Sequence, residues 1–308
     1  MATGAPQSPP RVSLGVPVYE AERFLEETMD SLLAQTLTEF ELIISDNAST
    51  DRTEEICRRY AAADPRVRYV RHEENQGASW NHTFLALEAR APYFKWAAAD
   101  DVCEPTYLER CVEVLDNDPS AVLCQPKTIE IDEQGGVIGP YDHRLRVTSD
   151  ELVERWADLL NIGYACYHVY GVIRTPALLE TGLMGTFIES DMVLLAELAL
   201  RGRFAEIDER LFRHRIHPGQ STMVHENLYD RGAWFDASKQ WKPSFPTWRF
   251  AWEYFRAVHR ADLTSAQRRA CYRVEAQWAM TIKRRFLRDF KHAGRITRRN
   301  LKRKLAQP

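Results

Sequence analysis

Short β-branched or apolar runs alternate with stretches of helical spacing through the first hundred residues, and this alternation constrains the fold more than any other feature. Runs at 11–18 (RVSLGVPV), 40–45 (FELIIS), 67–71 and 93–97 read as strands. The segments between them, 21–35, 51–63 and 79–89, place apolar residues on one helical face, as with Phe24, Leu25, Met29, Leu32 and Leu33. Strands separated by helices of 10 to 15 residues predict a right-handed, mostly parallel, doubly wound sheet. Pro17, lacking an N–H, is expected to end the first strand. Ligands of such sheets gather beyond the carboxyl ends of the strands, so residues 17–20, 46–51, 73–77 and 100–101 become the candidates.

The pattern continues with a helix at 105–115, a strand at 121–125 and a hairpin around 132–136, then weakens over 141–170. Residues 190–202 are again helical, and 203–215 read as a return strand leading into a Pro/Gly loop that contains His217. From residue 228 onward helix formers, Trp, Tyr and Arg dominate. The expected organisation is a disordered 1–10, an α/β domain at 11–225 and a basic helical extension at 226–308.

Composition adds a partition. The chain is 44% apolar and 28% charged, which excludes disordered and fibrous classes. The formal charge of −3 is a sum of unlike parts, because residues 251–308 carry 16 Lys+Arg against 4 Asp+Glu and leave −15 for residues 1–250. The six cysteines are scattered, with no C-x-x-C pair, and read as reduced thiols of a cytoplasmic protein. The N-terminus has no signal-peptide pattern, and no run of about 18 apolar residues suggests a membrane span. The basic, aromatic-rich end has three readings. Nucleic-acid binding is set aside because no recognised module accompanies it. The others are a helical cover on the acidic part, also able to form an oligomer contact, and a peripheral contact with an anionic membrane face.

Asp100-Asp101 follows an apolar strand. Adjacent like charges need compensation, and a hard divalent cation such as Mn²⁺ or Mg²⁺, shared with substrate phosphates, supplies it; a helix N-terminus is the plainer alternative. In Asp46-Asn47-Ala48-Ser49-Thr50-Asp51 the hydroxyls and Asp51 suit helix capping, whereas Asp46 stands too early to cap and can accept from a base N–H. Asp191 suits either a general base or helix capping. His217 suits a metal or diphosphate ligand, or plain surface.

Five motifs in order resemble the family 2 glycosyltransferases: Val16-Pro17-Val18-Tyr19-Glu20, the Asp46 to Asp51 segment, Asn75-Gln76-Gly77, Asp100-Asp101, and the stretch from Ser190-Asp191 through Leu211 to His217. The resemblance spans roughly residues 11–222. It implies a GT-A fold, a Rossmann-like mixed sheet flanked by helices, and metal-dependent, inverting transfer of a sugar from a nucleotide diphosphate (UDP, dTDP or GDP) to an acceptor hydroxyl, such as a lipid-linked one, in glycan or glycosylated natural-product synthesis. It further implies that Pro17, Val18, Tyr19, Glu20, Asn75 and Asp100 line the nucleotide-sugar site and that Asp46 accepts from the base. Asp101 and His217 would hold the metal, and Asp191 would be the base. Two departures stand out: Ala99 interrupts the frequent Asp-x-Asp form, and Glu189-Ser190-Asp191 splits a Glu-Asp pair, which makes Glu189 a rival base. The competing classes are a sugar-nucleotide nucleotidyltransferase, whose glycine-rich basic loop after the first strand is missing here, and a non-catalytic sugar-nucleotide or glycan-binding module.

Overall fold

The computed structural model describes residues 9–220 and 245–305. The expected boundary at residue 225, the helical onset at 228 and residues 1–8 lie outside the described residues. Nine strands form one sheet in the order β3-β2-β1-β4-β8-β6-β9-β5, with β7 on the outer side of β6. The parallel half is β1 (Val12–Val18), β2 (Phe40–Asp46), β3 (Val67–Arg71) and β4 (Tyr93–Trp96). It alternates with α1 (Leu25–Leu33), α2 (Thr53–Ala63) and α3 (Ala78–Leu87) as the pattern predicts.

Pro17 does not end its strand. The register with β2 runs on through Pro17 and Val18, but β4 leaves β1 at Gly15, so the missing N–H falls where only one neighbour remains. Helix α1 starts four residues later than expected because the preceding loop is tied sideways. Ala21 N–H donates to Thr53 Oγ1 (2.8 Å) and Glu22 N–H to Asp51 Oδ2 (3.1 Å). At the start of α3, Gly77 has φ +90°, a conformation that glycine adopts without a Cβ penalty.

The second half is mixed. After the two-residue β5 (Val102–Cys103) and α4 (Tyr107–Asn117), β6 (Ala121–Ile131) and β7 (Val137–Tyr141) make the expected hairpin, with β6 six residues longer than its apolar run. β8 (Val172–Arg174) joins β4 to β6 antiparallel, and β9 (Arg203–Arg215) runs parallel to β6 before β5 pairs with its end. Between them lie α5 (Leu152–Asn161), a short 3₁₀ turn at Tyr167–Tyr170, α6 (Thr175–Leu179) and α7 (Ser190–Arg201). Helix α5 falls where the sequence pattern weakens, and its packing explains why. Its buried face includes Arg155 and Asp158: Arg155 donates to the Ser149, Asp150 and Ala199 carbonyls, and Asp158 pairs with Arg146.

Three further helices follow, α8 (Pro246–Arg260), α9 (Ser265–Thr281) and α10 (Lys283–Leu305). The first two share the core of the α/β half: Phe250, Tyr254, Ala257, Val258, Cys271 and Trp278 are buried with Trp156 of α5 and Leu194 and Leu198 of α7. Trp156 Nε1 donates to the Cys271 carbonyl (3.2 Å). Glu197 of α7, 1% exposed, accepts two bonds from Arg260 at 2.8 and 2.7 Å. No described helix is long and apolar enough to cross a membrane, and all six cysteines are free thiols.

Candidate active site

The loops after β1 and β2 lock each other. Glu20 accepts from Thr50 N–H and Thr50 Oγ1, both at 2.9 Å, while Glu20 N–H donates to Ser49 Oγ (3.1 Å). Glu20 (φ +51°) and Ala48 (φ +64°) are left-handed there, and so is Glu189 (φ +62°) ahead of Asp191. Such residues cost on the order of 1–3 kcal/mol each and persist only where the surroundings hold them, often at functional sites. Of the residues the resemblance places at the nucleotide-sugar site, Tyr19 and Glu20 are exposed at this rim, Pro17 is half-buried and Val18 is buried in the core. Asn75 Oδ1 accepts from Asn47 Nδ2 and Gly77 N–H, both 2.8 Å, so it orders the loop after β3.

Asp46 is not open to a base. It is fully buried, and its oxygens accept from Ser49 N–H (2.9 Å), Tyr69 Oη (2.7 Å) and the Arg71 guanidinium (2.6 Å). The group it presents outward is Arg71, which also donates to the Ser49 carbonyl (2.8 Å). Burial first, and then Asp46, push the Tyr69 hydroxyl above its ordinary range.

At the end of β4 the two adjacent carboxylates part. Asp101 is 3% exposed, accepts from Arg215 N–H (2.9 Å) and lies 3.0 Å from His214 Nδ1. Burial raises its pKa, with His214 pulling the other way. Burial disfavours the His214 imidazolium, but Asp101 and then Asp100 outweigh it and lift that pKa. Asp101, for which the resemblance implies a metal role, is thus buried and partnered by His214 and the Arg215 N–H. Asp100 is half-open: its side chain is 28% exposed, and its Oδ2 lies 2.9 Å from His217 Nε2. His217 Nδ1 is buried without a hydrogen-bond partner. A half-open carboxylate beside an imidazole is a donor set that suits Mn²⁺, so the residues present fit the expected cation through Asp100 and His217.

Arg215 ties this corner together and was not singled out by the sequence pattern. It is 1% exposed and donates to the Asp100 carbonyl (2.9 Å), to the Asp132 and Glu133 carbonyls of the hairpin (3.1 and 3.2 Å) and to Glu27 of α1 (2.6 Å). His214 and Lys95 were missed as well. Lys95 is fully buried in β4, donates to the Tyr170 carbonyl (2.6 Å) and lies over the Tyr107 ring. A Lys inside the otherwise apolar YFKW strand was the available signal.

Asp191 sits in the first turn of α7, where its Oδ1 accepts from Met192 N–H (3.0 Å). It lies beside Cys166: burial first, then the charge and hydrogen bond of Asp191, push that thiol well above its usual range. Burial also raises the hydroxyl of Tyr170, which lies in electrostatic reach of Asp101, Asp100 and Asp191.

Two cavities lie apart from this corner. An open cleft of about 530 Å³ lies past β3, lined by His72, Glu73, Glu74, Gln76 and Trp80. A smaller cavity of about 200 Å³ contains His143, His168 and Glu206. Leu145 N–H donates to His143 Nδ1 (3.1 Å), which leaves the proton of a neutral ring on Nε2, facing Glu206 at 2.8 Å. His168 Nδ1, in the same cluster, is buried without a hydrogen-bond partner.

The fold is that of a GT-A glycosyltransferase. The S. aureus TarS 1–349 structure superposes with a TM-score of 0.63 at 16% identity, covering 89% of this chain and 73% of that one. The mannosyltransferase PcManGT from Pyrobaculum calidifontis superposes at 0.56 and 15% identity, covering 98% and 83%. The glycosyl transferase family 2 model matches residues 13–170, and the chain belongs to that family. The glycosyltransferase EpsJ of Bacillus subtilis is 38% identical over 220 residues, 70% of this chain and 64% of EpsJ. The chondroitin synthase of Escherichia coli is 31% identical over 223 residues, 70% of this chain and 30% of the synthase. The chain thus spans less than two thirds of these relatives.

Proposed function

We propose that the chain transfers a sugar from a nucleotide diphosphate to an acceptor hydroxyl, with inversion at the anomeric carbon. The observation that carries this reading is the half-open Asp100 just beyond β4, its side chain 28% exposed and its Oδ2 2.9 Å from His217 Nε2. TarS has been crystallised with UDP and with UDP-GlcNAc, and PcManGT with GDP-Man and Mn²⁺, which supports a nucleotide-sugar donor. In this reading the loops bearing Tyr19, Glu20 and Asn75 border the nucleoside, and Arg71, held by Asp46, is the cation that meets it.

Asp100 and His217 would hold a divalent cation, Mn²⁺ or Mg²⁺, which when bound offsets the charge growing on the diphosphate leaving group. Asp191 takes the acceptor proton late, once the hydroxyl has become acidic by bonding to carbon, so a carboxylate of ordinary strength suffices. Glu189, left-handed and two residues earlier, is the rival base. In this reading the described residues 11–220 and the packed helices α8 and α9 act as one transferase body.

The test is a thermal-shift screen of UDP, dTDP and GDP, each with and without Mn²⁺. One nucleotide is expected to stabilise the chain in a Mn²⁺-dependent way, by about 2.7 kcal/mol at 100 times its Kd. No shift with any of the three overturns the reading.

A further inference from the structure

Helix α8 inverts the usual order of an amphipathic helix. Its inner face, Thr247, Phe250, Glu253, Tyr254, Ala257 and Val258, is buried against the core. Its outer face should then be polar. Instead Trp248, Trp252 and Phe255, at i, i+4 and i+7, stand on the solvent side; the two tryptophans are 48% and 55% exposed. The rings extend across neighbouring helices. Trp252 stacks on Phe255 (5.4 Å between centroids) and Phe255 on Tyr272 of α9 (5.1 Å), while Trp248 meets Phe286 (4.8 Å) and Phe290 (5.8 Å) of α10. Leu287 and Phe290 are exposed beside them. This is a continuous aromatic strip over three helices, larger than the scattered apolar residues of an ordinary surface.

The same region carries the charge excess seen in the sequence. Helix α10 has eleven Lys/Arg and one acid, Asp289. That acid is 1% exposed and turned inward, accepting from Thr247 N–H (2.8 Å) and Trp248 N–H (3.3 Å), so it fastens α10 to the start of α8. Arg249 and Arg256 of α8 pair with the buried Glu253, and Arg260 with Glu197. Lys283, Arg284, Arg288 and Lys291 of α10 are exposed. Only Arg260, among these cations, acts as the expected charge cover on α7.

We propose that the outer face of α8 and α10 docks the chain on an anionic lipid bilayer, with Trp248, Trp252 and Phe255 at the headgroup level and the α10 cations on the lipid phosphates. Tryptophan is the side chain most at home at that depth, with an apolar ring and one N–H for the wet side. Basic residues beside it add the attraction to anionic headgroups that apolar insertion alone lacks. A second copy of the chain is a poorer occupant, because a two-fold contact would bring two α10 helices of +10 together. Bilayer binding is read without transfer, so its failure and the failure of the proposed activity are separable.

The experiment is co-sedimentation of the full chain with vesicles of phosphatidylcholine alone and of equimolar phosphatidylcholine and phosphatidylglycerol. Binding is expected only to the anionic vesicles and is expected to be released near 1 M salt, where the Debye length falls to roughly 3 Å. Replacing Lys283, Arg284, Arg288 and Lys291 with Gln should weaken it on the order of a thousandfold. The pair Trp248→Ser with Trp252→Ser should abolish it while nucleotide binding stays as in the parent chain, which shows the variant folded even though Trp248 loses its contacts with Phe286 and Phe290. Equal binding to neutral vesicles, or unchanged binding by the Trp pair, overturns the proposal. So does a two-chain mass in sedimentation equilibrium that falls to one chain in the Trp pair.

Discussion

The two halves of the sheet hold their site residues by different means. On the parallel side, the loops after β1, β2 and β3 are locked by partners about 20 to 30 residues away, as with Glu20 and Thr50 or Asp46 and Arg71. On the mixed side the partners come from the far end of the chain: Asp101 meets Arg215 across 114 positions, and Glu27 meets it across 188. The first arrangement fixes a shape early and locally. The second decides which of two adjacent carboxylates is open and which is closed, a choice no local segment contains.

The largest effect expected from the mixed half is chemical. Asp191→Ala should lower transfer on the order of 10²- to 10⁴-fold while nucleotide binding in the thermal-shift assay survives. Near-normal turnover would move the role to Glu189. Next in size is the contrast at the acid pair. Asp101→Ala leaves His214 and the Arg215 N–H facing a void and should cost about 3–5 kcal/mol in urea unfolding. Asp100→Ala should unfold almost as the parent does, yet lose the Mn²⁺ dependence of nucleotide binding. If the two variants exchange these behaviours, the division into an open and a closed carboxylate fails.

The smallest effect lies in the helices laid over the mixed half. Burial raises the pKa of Glu275 on α9 to about 7, and its Oε2 has no hydrogen-bond partner. A carboxyl raised in the folded state contributes stability that is full below its unfolded value near 4.5 and is lost as pH climbs through 7. With solvent screening part of the group, the loss is about 1–2 kcal/mol, and Glu275→Gln should remove that slope between pH 5 and 8. Parallel pH profiles for variant and parent would show that the carboxyl is solvated.

Legibility in the sequence follows the same division. β1 to β4, α2, α3, α7 and β9 stand within about two residues of their expected places, because their apolar periodicity answers to one nearby core face. Helix α5 was hidden by Arg155 and Asp158, charged residues buried on its inward side and satisfied by groups that a local window does not contain. The motifs singled out both Asp100 and Asp101, but which of the two is half-open and which is buried is set by His214 and Arg215, far along the chain. For the same reason Asp46 looked like a base ligand until Tyr69 and Arg71 were seen on it. The charge split at the end of the chain was legible, whereas the outward turn of Trp248, Trp252 and Phe255 had to come from packing.

The guanidinium of Arg215 has a consequence for how the chain matures. During synthesis at about 5–20 residues per second, roughly 6 to 20 s separate the emergence of Asp101 from that of Arg215. Through that interval the first four strands can pair, yet the two acids at the end of β4 have neither His214 nor Arg215 to meet them. The nascent protein therefore acquires its scaffold before its reactive corner, and the return of β9 is the event that arms it.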